Sequence, residues 1–197
     1  MRTDARRNRE LIVTTASRLL TERGAAVSME EIARAAGLGV GTLYRHFPDR
    51  RTLLEDIAAD AVGQLLAAGR AEHARGLTGW EVLLQLVRRC TDLPLALIKE
   101  LAGGQPPRPP VQELVTELNA LLERTAAQAQ REGSLRADIP PAEVVGLLNV
   151  MLCRPGARAD DHLTTVILDG LRVEGGHAAE PDAPPGRPDV RPRGSRT

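Results

Sequence analysis

The chain of 197 residues is long enough for one large domain or two small ones, and its 42% apolar and 26% charged content is ordinary for a soluble globular protein. No apolar run approaches the ~20 residues of a membrane span, and the charged start MRTDARRNRE lacks the apolar segment of a signal peptide, so a cytoplasmic protein without a membrane partner is expected. Net charge is zero, yet residues 1–54 hold ten arginines against six acids, a local +4, which leaves −4 on the remainder; a polyanion partner at one end only is implied.

Helical spacing recurs along the chain and no strand-like alternation is sustained, so the expected class is all-α. The first helix places Ile12, Ala16, Leu19 and Leu20 on one face and ends at Gly24. Ser28-Met-Glu-Glu31 reads as a capping box that opens a short helix with Ile32, Ala33 and Ala36 inward. Gly37 supplies the positive φ that ends it. A second short helix is expected from Val40 to His46, stopped by Pro48, with Asp49 capping a long helix that carries Leu53, Leu54, Ile57, Ala61, Leu65 and Ala68.

Further helices are expected from Trp80 to Thr91, with Pro94 as a kink or a new start, and from Val111 to Arg131. Two more follow, one after Pro140-Pro141 through the apolar run Val144 to Leu152, and one from Asp160 to Val173. GGQPPRPP at 103–110 reads as a loop. The last 23 residues hold five prolines and four glycines, so a disordered tail at 176–197 is expected.

Two short helices joined at a glycine form a helix-turn-helix. The second must enter the major groove of DNA, and its composition suits that task. Gly39 and Gly41 let backbone approach phosphate, where free N–H groups favour an anion. Thr42, Tyr44 and His46 bring donors, and Arg45 brings a fork for guanine or phosphate. Arg50 and Arg51, with Arg6, Arg7 and Arg9 on the other side, can reach the DNA backbone; Ser28 is counted with the contact set. The chain's only Tyr and Phe both fall here, Tyr44 to offer a hydroxyl to phosphate and Phe47 to plug the core. One short helix reads few bases, so a homodimer on a palindromic double-stranded operator is expected, with half-sites ~34–36 Å apart.

Residues 6 to about 65, and AAGLGVGTLYRHFPDRRTLL above all, resemble the TetR family of transcriptional regulators. The resemblance implies that Thr42, Tyr44 and His46 contact DNA, that Val40 faces bases and that Arg50 touches a phosphate. Gly39 departs from the family, which usually has Ser or Thr as the cap there. The resemblance further implies a body that dimerises and binds a small molecule. EGSLRADIPPAEVVGLL and VILDGLR resemble its dimer segments, so Val144, Leu148, Leu163, Ile167 and Leu171 are assigned to the dimer interface as two helices of a four-helix bundle.

For the small molecule, Trp80, Leu83, Val87, Cys90, Leu118, Leu122 and Met151 form an aliphatic candidate lining, with Asn119 and Asn149 as polar anchors. This lining favours a lipophilic ligand. The expected organisation is a helix-turn-helix three-helix DNA-binding domain at 6–65, with the motif at 28–47, and a helical ligand-binding and dimerisation domain at 66–175.

Other chemistry finds no support. Gly37, Gly39 and Gly41 follow a helix rather than a strand, which argues against a dinucleotide site. The four histidines have no metal-ligand spacing, and Cys90 and Cys153 lie too far apart in sequence for a zinc pattern, so both thiols are read as small buried hydrophobes. No catalytic residue, metal or cofactor is assigned. The expected function is a sequence-specific repressor relieved by a small molecule. The alternatives are the same fold without such a ligand, or a helical enzyme or scaffold with a non-functional head.

Overall fold

The computed structural model describes residues 2–91, 93, 106–154 and 157–173. The predicted tail at 176–197, Pro94 and residues 103–105 of the predicted loop lie outside the described residues. Among the described residues eight α-helices are seen: α1 Arg2–Arg23, α2 Met29–Ala35, α3 Val40–His46, α4 Arg50–Ala74, α5 Gly79–Thr91, α6 Pro109–Arg131, α7 Pro141–Leu152 and α8 His162–Leu171. The described residues hold no strand, only one antiparallel bridge between Leu135 and Arg172.

Local chemistry sets the ends of these helices. The Ser28 hydroxyl accepts from the Glu31 amide at 3.1 Å, and the Glu31 carboxylate accepts from the Ser28 amide at 2.8 Å, so the capping box is complete. Gly37, at φ +67°, turns α2 into α3. Asp49 caps α4 by accepting from the Thr52 amide at 2.7 Å. Helix α6 begins two residues earlier than predicted. Pro109 and Pro110 sit in its first turn, where a missing N–H costs nothing, so the proline-rich segment is not wholly loop.

Two large apolar cores result, with a small cluster of Val62, Leu66 and Leu121 between α4 and α6. The first joins Ile12, Ala16, Leu19 and Leu20 of α1 with Ile32 and Ala33 of α2, Leu43 of α3, Phe47, and Leu53, Leu54 and Ile57 of α4. The second joins Leu65 of α4 with residues of α5, α6, α7 and α8. Helix α4, ~37 Å long at 1.5 Å per residue, therefore belongs to both, and the predicted boundary at 65/66 falls inside it. Gly69 lets α6 approach α4, since a Cβ there would lie 2.7 Å from a Leu121 methyl. Gly79 lets α5 meet α6 backbone to backbone, since a Cβ there would lie 2.5 Å from the Ala129 nitrogen.

Candidate nucleic-acid interface

Helices α2 and α3 are fixed from behind and open in front. Leu43 and Phe47 are fully buried and seat α3 on the first core. The Arg9 guanidinium lies 4.8 Å above the Phe47 ring centre and pairs with Asp56 of α4, which ties α1 to both. His46 is half-buried, its ring centre 6.5 Å from that of Phe47. The exposed side of α3 presents Val40, Gly41, Tyr44 and Arg45, with Thr42 half-exposed.

These side chains are held in place before any partner arrives. Tyr44 donates its hydroxyl to Glu30 of α2 at 3.4 Å, linking the two helices of the motif. Arg45 donates from Nε to the Gly41 carbonyl at 3.2 Å and from Nη2 to the Thr42 hydroxyl at 3.1 Å. Gly39 and Gly41 have negative-φ backbones, and a Cβ would meet nothing closer than the Thr42 hydroxyl, 4.0 Å from Gly39. The fold itself does not require either glycine; the space they leave lies outside the chain. Gly39 caps α3 without a side-chain bond, as its lack of a hydroxyl dictates.

Three predicted contacts have work inside the chain. The Ser28 hydroxyl serves the α2 cap. Arg50 donates to the Val27 carbonyl, immediately before that cap. Arg51 pairs with Glu55 at 2.9 Å and donates to the Pro106 carbonyl at 3.0 Å, which engages it with the chain leading into α6. Sequence reasoning missed the Glu30–Tyr44 bond, the Arg9–Phe47 contact and the partners of Arg51, because each joins residues on different helices. The lone Phe beside a basic first helix was the one available hint.

The body divides the predicted ligand set. Trp80, Leu83, Val87, Leu122 and Met151 are all buried in the second core, with Leu118 and Cys90 packed against it. Asn119 is half-buried. Asn149 is exposed on α7, so it cannot anchor a molecule in that core. Three cavities bounded by described residues lie along α1, α4 and Leu93 beyond α5, and these three are not lined by the predicted set.

The predicted dimer residues divide as well. Val144, Leu148 and Leu171 are 0%, 2% and 2% exposed, and they form the chain's own core rather than an outer surface. The apolar residues that do face outward are Leu147 and Val150 of α7 and Leu163 and Val166 of α8, with Ile167 partly covered. Leu147 and Val150 share a stripe of α7 with Gly146 and the exposed Glu143, and Leu163, Val166 and Ile167 share a stripe of α8 with Gly170, at the i, i+3, i+4, i+7 spacing of a packing face. Gly146 and Gly170 on these stripes have open space around them.

A buried-backed, exposed-fronted pair of short helices on an all-helical body defines a helix-turn-helix DNA-binding transcriptional regulator. Residues 12–57 match the model of bacterial regulatory proteins of the tetR family, and residues 77–173 match the SbtR-like transcriptional regulator C-terminal domain. The chain belongs to the TetR family. It is 33% identical to the TetR transcription regulatory protein from Mycobacterium vanbaalenii, over 87% of this chain and 99% of that one, with a TM-score of 0.64.

An HTH-type transcriptional regulator of Staphylococcus aureus (strain USA300) is 48% identical over 54 residues, 27% of this chain and 29% of that protein. The chain thus spans less than a third of the length of these curated relatives. AibR, solved in complex with isovaleryl coenzyme A and operator DNA, shares the fold at 22% identity and a TM-score of 0.57, over 83% of this chain and 95% of that one. No helix among the described residues is long and apolar enough to cross a membrane.

Proposed function

We propose that the protein is a homodimeric repressor that reads a palindromic operator through Val40, Gly41, Thr42, Tyr44 and Arg45, and releases it when a small lipophilic molecule enters the body. The observation that carries this reading is the pairing of an open α3 face with an uncovered apolar face on α7 and α8. Val150 and Val166 are 70% and 67% exposed. Residues 6–65 then read DNA, while 66–175 dimerise and sense. The dimer contact runs through Leu147, Val150, Leu163, Val166 and Ile167, with Gly146 and Gly170 allowing close approach.

Selection from random double-stranded DNA, followed by titration of the winners at several salt concentrations, tests the reading. An enriched inverted repeat whose binding falls steeply with salt supports it. Enrichment of nothing, or only weak sequence-indifferent binding, sinks it. A second reading, regulation without a small molecule, is favoured by the close packing of the predicted ligand residues. The first probe is a short lipophilic isovaleryl ester, which carries the uncharged acyl part of the isovaleryl coenzyme A in the AibR complex. Release of the selected operator by it, or by shorter or longer acyl relatives, separates the two readings.

A further inference from the structure

We propose that Glu55 and Arg108, acting through Arg51 and the first turn of α4, fix the angle of the DNA-reading head on the body and so set the half-site spacing that the dimer accepts. The inference rests on the dimeric-operator reading above. It assigns these residues a positioning role, not a DNA contact.

The joint is a closed ring of polar contacts. One Glu55 oxygen takes Arg51 at 2.9 Å and the other takes Arg108 at 3.0 Å. Arg51 donates on to the Pro106 carbonyl at 3.0 Å, and Arg108 donates on to the Thr52 hydroxyl at 3.1 Å. Thr52 in turn donates to Asp49, the α4 cap, at 2.8 Å. Glu55 is only 13% exposed, so its carboxylate is largely withdrawn from water and committed to the two guanidiniums. Exposed single ion pairs contribute little to stability. A carboxylate shared by two planar forks chiefly fixes direction.

The same turn of α4 is fastened to the head on its other side. Arg50 donates to the Val27 carbonyl, and Phe47, two residues before Asp49, is buried in the head core. The turn is therefore gripped by α2 and α3 on one flank and by the chain entering α6 on the other. Among the described residues, the joint adds polar contacts between head and body to the continuity of α4, and long helices bend gently. A tilt of about 5° over a ~37 Å helix displaces its end by about 3 Å. That is close to the ~3.4 Å per base along one DNA strand, and each protomer adds its own displacement.

The test uses duplexes that carry two selected half-sites at the preferred separation and at one or two base pairs more or fewer. Arg108→Ala and Glu55→Gln each break the Glu55–Arg108 ion pair at the centre of the joint. Arg70→Ala is the control, since it removes another exposed ion pair between the same two helices, Arg70–Glu117, away from the head.

The wild type and the control should prefer one separation by about tenfold, while both joint variants should flatten this to under about threefold. Base preference within each half-site and the dimeric mass should stay unchanged. A general loss of stability would lower binding at every separation alike and leave the profile's shape intact. If Arg108→Ala and Glu55→Gln keep the wild-type profile, or if Arg70→Ala flattens it equally, the inference is overturned. A wild type indifferent to separation would overturn the dimeric-operator reading and this inference together.

Discussion

At Gly41 an added methyl group would meet no protein atom within 4 Å, and the backbone there is ordinary helix. Gly41→Ala should therefore stabilise the free protein by about 0.5–1 kcal/mol, the usual helix advantage of alanine. The same methyl would stand between α3 and a bound phosphate, and operator affinity should fall about tenfold or more. A melting curve and a DNA titration on the same preparation check both halves. Unchanged DNA affinity would mean that this face does not touch DNA. Arg45→Ala should cost about 1–3 kcal/mol of operator binding if the fork reads a base, with relaxed specificity at one position. A uniform loss with a shallower salt slope would assign Arg45 to phosphate instead.

Cys90 offers a different check on packing. Burial, and then the neighbouring Cys153, push its thiol up to about 12. The thiol stays protonated at neutral pH, so iodoacetamide should label Cys90 far more slowly in the native protein than in denaturant. The sign of the pH effect follows. In the unfolded chain the thiol ionises near its ordinary value of 9.0, in the folded protein only at about 12, so native stability should fall as pH rises between them. Asp49 behaves oppositely. The Thr52 amide, then the Thr52 hydroxyl, hold its carboxyl below the usual aspartate value. Its support of α4 is complete above that usual value and is lost only as pH falls through the lowered one.

At the scale of elements, the two close helix contacts should differ in their tolerance. Gly79→Ala drives a methyl into Ala129 backbone, whereas Gly69→Ala meets only the end of the Leu121 side chain. Overpacking of a rigid contact costs about 1–3 kcal/mol or more. Gly79→Ala should therefore lower the melting temperature well beyond Gly69→Ala, which recovers part of its cost as helix propensity. Equal melting temperatures would refute the close approach of α5 to α6.

The same contrast explains what the sequence made legible. Helices α2 and α3 were readable because their signals are local: a serine three residues before a glutamate, a glycine at a forced turn, a Pro-Asp stop. Helix α7 was not, because its run Val144 to Leu152 is nearly all apolar. Periodicity could not say that Val144 and Leu148 face inward while Leu147 and Val150 face outward. The ligand set suffered likewise, since a buried leucine beside a cavity and one in solid core share the same pattern. The Glu55–Arg108 pair spans 53 positions and leaves no trace in either segment alone.

At the scale of the whole molecule, the proposed dimer rests on the outward face of α7 and α8. Val150→Glu together with Val166→Glu should give a folded monomer, with unchanged helical content, that binds the operator at least about a hundredfold more weakly. Sedimentation and a DNA titration test this; a dimer that persists would place the contact elsewhere. Neither side chain is packed inside the protomer, so the fold should survive the pair of charges.

The sharing of α4 between two cores also bears on how such proteins trade parts. Exchange of a DNA-reading head between relatives cannot be cut at a flexible linker, because none separates the cores; the seam is the short stretch of helix Ala59 to Ala61, between Ala58 on the first core and Val62, which packs with Leu121 of α6. A chimaera joined there without gain or loss keeps its phase. One residue inserted or deleted would swing the whole head by about 100° about the helix axis. Heads and bodies can thus be shuffled freely in kind, but only in register.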